Sequence, residues 1–61
     1  MSDKYTQIVE FVKNMQADVE KFYVKGQSAA GTRVRKALSE LKKMSQDMRN
    51  EVQEKKLEKK A

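Results

Sequence analysis

Apolar side chains fall at Tyr5, Ile8, Val12, Met15, Val19 and Phe22, in steps of three and four residues, and the chain contains no proline. Steps of this kind line one stripe of an α-helix and scatter over both faces of a strand, so the segment from about 3 to 24 is read as helix. Val9, Phe11 and Tyr23 flank the seam and widen the apolar arc to about 160° at roughly 100° per residue, more than a two-stranded coiled coil covers. Such a helix is expected to touch more than one neighbour. Ser2 is placed to cap its start and Asp3 suits the positive end of its dipole. At the other end Lys25 suits the negative end, and Gly26 is a natural residue just past the last turn.

A second seam runs through Val34, Ala37, Leu41, Met44 and Met48, with Leu38 and Val52 beside it, so a second helix is expected over about 29–55 with Ser28 as its cap. The intervening turn, about 25–28, is short enough to force the two helices antiparallel and adjacent. The fold class is therefore all-α: a helical hairpin over 1–55, followed by a charged tail, 56–61, expected to fray. One hairpin leaves both stripes half exposed. A two-fold homodimer forming a four-helix bundle covers them, with Ile8, Phe11, Val12, Met15, Val19, Phe22, Val34, Leu38, Leu41 and Met48 as the expected core and dimer residues.

Size and composition support the need for a partner. A chain of 61 residues makes one small domain, and a core of that size contributes only a few kcal/mol. Leu, Ile, Val and Phe number 12, close to the lower limit for a folding chain, so order is argued from periodicity rather than content. The absence of cysteine removes disulfides and thiolate metal sites as staples. The start, "MSDKYTQIVEF", lacks the basic and apolar regions of a signal peptide, and no apolar run reaches transmembrane length, so a cytoplasmic location is expected.

Charge is divided unevenly. Residues 1–24 hold three cations and four anions, whereas residues 25–61 hold eleven cations and five anions. Between Lys25 and Lys43 stand Lys25, Arg33, Arg35, Lys36, Lys42 and Lys43 against the single acid Glu40. Further along, Arg35, Lys42, Arg49 and Lys56 recur every seven residues, and Glu40, Asp47 and Glu54 recur on the opposite side; part of that charge can pair between helices. The turn gives the cations a context. A helix N-terminus offers free N–H groups, Ser28 and Thr32 add hydroxyls, Ala29, Ala30 and Gly31 permit close approach, and the arginines surround the opening. Phosphate suits that surface, and a dimer would present it twice. Gly26 reads as a structural cap, while Gly31 reads equally as clearance for helix packing or for a phosphate.

The stretch "KGQSAAGTRVRKALSELKKMSQDMRNEVQEKK" resembles the bacterial linker-histone-like proteins of the chlamydial histone type. The matching positions are Lys25, Gly26, Ala29, Ala30, Gly31, Thr32, Arg33, Arg35 and Lys36, with a weaker match through Leu41 and Arg49. The resemblance implies a nucleoid-associated protein that binds double-stranded DNA without strong sequence preference. Larger members carry a long lysine- and alanine-rich tail, whereas this chain has "EKKLEKKA"; binding is thus expected from the folded dimer, or from bridging and cooperative coating. The expected DNA-binding residues are Lys25, Ser28, Gly31, Thr32, Arg33, Arg35, Lys36, Lys42 and Lys43.

Other functions find less support. Nothing resembles a recognition helix set for base edges, and no aromatic is interleaved with the patch to stack on unpaired bases, although RNA stays open as a partner. Without histidine or cysteine the usual catalytic bases, nucleophiles and transition-metal ligands are missing. No enzyme activity, cofactor, metal or small-molecule substrate is expected. A membrane-surface role is disfavoured because the more apolar first helix is slightly acidic. The competing reading is a helical oligomerisation or adaptor module whose charges set pairing and solubility.

Overall fold

The computed structural model describes residues 3–59, the side chain of Lys59 excepted. Two helices make up the fold: α1 (Asp3–Tyr23) and α2 (Ser28–Lys59), of 21 and 32 residues. They pack against each other as an antiparallel hairpin. Ser2, expected to cap α1, lies outside the described residues. Asp3 and Lys21 do occupy the first and last turns of α1, where their charges oppose the partial charges of the helix ends.

Four residues, 24–27, connect the helices, and their backbone closes α1 tightly. Gly26 adopts φ 67°, the left-handed region in which a Cβ is strained. This lets the Gly26 N–H donate to the carbonyl of Phe22 at 3.1 Å and the Gln27 N–H reach back to the carbonyl of Lys21 at 3.0 Å. Two of the carbonyls left without partners by the helix end are thereby satisfied. The Gly31 N–H donates to the Gln27 carbonyl at 3.3 Å. Gln27, and not Ser28 as expected, is thus the half-helical residue that opens α2; Ser28 is its first helical residue. At its far end α2 continues to Lys59 through the charged segment where fraying is expected. Lys, Glu and Leu are good helix formers, and Lys55 Nζ lies 4.0 Å from Glu58 Oε2, one turn on. Lys60 and Ala61 lie outside the described residues.

The hairpin measures 53 × 18 × 12 Å, so it is one layer of helices thick. A single layer cannot enclose a core. Among the described residues only Ala30 is buried, at 0% exposure. Ile8, Phe11, Met15 and Val19 of α1 and Val34, Ala37, Leu41, Met44 and Met48 of α2 are half-buried where the helices meet. Of the residues expected in the core, Val12, Phe22 and Leu38 stay exposed in the hairpin, at 48%, 40% and 50%. Tyr5 and Tyr23 share the Val12 side of α1, and Val52 shares the Leu38 side of α2. Two grooves, described below, combine residues from both helices along this side. The exposed stripes therefore form one continuous apolar face.

Candidate nucleic-acid interface

At the turn, the aromatic ring of Phe22 lies across the backbone of α2. A Cβ built on Gly31 would stand 2.6 Å from Phe22 Cδ1 and 2.7 Å from Cε1, well inside contact distance. Gly31 is therefore the clearance that lets the ring pack against α2. Tyr23 meets Phe22 edge-on, with ring centroids 5.1 Å apart and planes 81° apart, while remaining 76% exposed itself. Phe22, Gly31 and Leu38 belong to a groove of about 290 Å³ edged by Tyr23, Ser28 and Arg35.

The expected phosphate-binding residues are distributed around this turn. Lys25 is exposed in the connection, and Ser28, Arg35, Lys36, Lys42 and Lys43 are exposed on α2. The Thr32 hydroxyl donates to the carbonyl of Ser28 at 3.5 Å, a long back-bond within α2. Arg33 is engaged across the hairpin: its Nε–H donates to Asp18 Oδ1 at 2.9 Å. The pair is half exposed, with side-chain exposures of 51% and 30%. It stabilises the hairpin by no more than about 1 kcal/mol while tying α2 to α1.

Helical geometry divides the cations that lie close together in sequence. At roughly 100° per residue, Arg35 and Lys42 share one flank, Lys36 and Lys43 lie about 100° further round, and Arg33 faces almost the opposite way. The turn also brings the C-terminus of α1 beside the N-terminus of α2. The partial negative charge of one end offsets the partial positive charge of the other, so side-chain cations supply most of the local positive potential. Asp18 escaped the sequence reading because an acid fifteen residues before an arginine carries no local signal; only the hairpin register joins them. Gly31 and Phe22 are joined in the same way.

Among the described residues no three or more His, Cys, Asp or Glu side chains cluster as metal ligands, and no helix is long and apolar enough to cross a membrane. The arrangement offers exposed cations, an uncovered apolar face and a glycine-dependent turn. No curated protein and no solved structure matches the chain significantly. The family model for histone H1-like protein Hc1 matches residues 2–58, both helices and the turn. The chain therefore belongs to this family of histone-like, DNA-binding proteins of the nucleoid, which is not a family of enzymes.

Proposed function

We propose that the chain acts as a two-fold homodimer, a four-helix bundle, that binds double-stranded DNA through backbone phosphates with little sequence preference. The basic turn and the first half of α2 make the contacts: Lys25, Arg35, Lys36, Lys42 and Lys43 as cations, Ser28 and Thr32 as hydroxyls at the helix start. Arg33 joins them through the N–H groups that its bond to Asp18 does not use. Gly31 enters through the Phe22 packing that shapes the turn.

One observation carries the dimer. The hairpin exposes 5360 Å², whereas a compact monomer of 7.1 kDa exposes about 4,100 Å². Its radius of gyration, 15.3 Å, likewise exceeds the about 10.5 Å of a compact domain of this length. Covering the excess on two copies would bury about 2,600 Å² in total, within the range of permanent homodimers. The apolar side chains along one face, Tyr5, Val12, Phe22, Leu38 and Val52, are what such an interface would bury.

The test is affinity for a random-sequence duplex as a function of salt, with the assembly state read by light scattering in the same buffers. Each phosphate neutralised contributes about −0.9 to the slope of log affinity against log salt. A dimer using its turns twice gives a slope of about −4 or steeper, equal across sequences. Negligible binding by a correctly assembled dimer at low salt would overturn the DNA mode and leave an oligomerisation module.

A further inference from the structure

Seven residues of helix rise about 10.5 Å and fall about 20° short of two full turns. Arg35, Lys42, Arg49 and Lys56 stand at this spacing, so they form a shallow row about 32 Å long on one flank of α2. All four are exposed. The row borders the apolar face at both ends of the hairpin. Arg35 edges the groove at the turn, beside Phe22 and Leu38. Arg49 and Lys56 edge a second groove, of about 380 Å³, with Ile8, Met48 and Val52.

Among the described residues no carboxylate lies within 4.0 Å of any of the four, whereas Arg33 is paired with Asp18 and Lys55 with Glu58. The acids of α2 stand elsewhere: Asp47, Glu51 and Glu54 gather with Lys4 in a polar recess that shares no residue with either groove. Nor can a second copy laid on the apolar face neutralise the whole row. With Asp18 engaged and Lys4 held among the α2 acids, α1 offers Asp3, Glu10 and Glu20 against Lys13 and Lys21, one net acid for the four cations of the row.

An uncompensated linear row of cations calls for a linear polyanion. Duplex DNA presents one negative charge per about 1.7 Å of axis, and one helical turn spans about 34 Å, close to the length of the row. We propose that Arg35, Lys42, Arg49 and Lys56 form a phosphate-binding edge that lies lengthwise on double-stranded DNA, carrying the contact from the turn to the far end of α2. This rests on the DNA reading above and adds Arg49 and Lys56 to the interface.

The experiment compares the full chain, Arg49→Ala with Lys56→Ala, and Lys13→Ala with Lys21→Ala, a control that removes the same charge from α1. Salt-dependent affinity for a random-sequence duplex, helicity and light scattering are measured for each. The edge variant is expected to stay helical and assembled, with a slope shallower by about 1.8 per protomer engaged. The control keeps the parent slope, and Arg49→Lys with Lys56→Arg keeps it too. An edge variant that binds like the parent overturns the edge and leaves the turn as the site. Equal loss in the control overturns it in favour of overall charge, and dissociation of the edge variant without weaker binding per chain overturns it in favour of subunit pairing. If the parent chain itself does not bind, the DNA mode has failed before the edge is tested.

Discussion

Gly31 and Phe22 make a close inter-helix approach beside the turn. Adding a Cβ at Gly31 forces the ring outward or the helices apart, and overpacking of this kind costs about 1–3 kcal/mol. Alanine recovers up to about 1 kcal/mol of helix propensity in return. Gly31→Ala is therefore expected to destabilise the fold by about 1 kcal/mol in urea denaturation. In a Phe22→Ala background the clash is gone, and the same substitution should become stabilising by up to about 1 kcal/mol. Unchanged stability with weakened DNA binding would instead make Gly31 a point of phosphate approach. The motif containing Gly31 was legible in sequence, but its packing partner was not, because a glycine in a helix advertises clearance without saying for what.

At the scale of the helices, the bond from Arg33 to Asp18 ties α2 to α1 while occupying one of the arginines of the basic turn. Asp18→Asn removes the charge that holds it. Stability should fall by no more than about 1 kcal/mol, as for other exposed ion pairs. With its charge no longer shared with Asp18, Arg33 compensates phosphate in full, and the salt slope of DNA binding should steepen by up to about 0.9 per protomer. An unchanged slope would mean that Arg33 stays off the DNA and serves the hairpin alone. Both helices and the antiparallel turn could be read from periodicity and from Gly26, because helix formation depends on neighbours three and four residues away. Sequence alone puts the start of α2 one residue late: a serine suited to capping precedes the small-residue run, yet the backbone bonds begin from Gln27.

For the whole molecule, the apolar face is the dominant feature. Leu38 is half exposed in the hairpin, so Leu38→Asp costs a monomer little. In a dimer the same substitution places a carboxylate in an apolar interface, where an unpaired charge is strongly unfavourable. The expected result is a scattering mass half that expected of a dimeric parent, and a melting midpoint independent of protein concentration where a dimeric parent's would rise. A Leu38→Asp chain that assembles normally would move the interface away from this face.

By itself the sequence determined two helices, their order, the glycine that turns one into the other and the motif from Lys25 to Lys36 that carries the family likeness. These are local properties: backbone hydrogen bonds, a left-handed glycine and an apolar repeat act within about one or two turns of chain. Only the tertiary structure decided which cations are engaged and which stay available. Arg33 and Arg35 are equivalent as letters, but helix rotation separates them by roughly 200°, turning one to Asp18 and the other to the rim of the apolar face. That outcome depends on the register between two helices, which brings Asp18 to Arg33 and Phe22 to Gly31 across the hairpin and which no stretch of sequence states on its own.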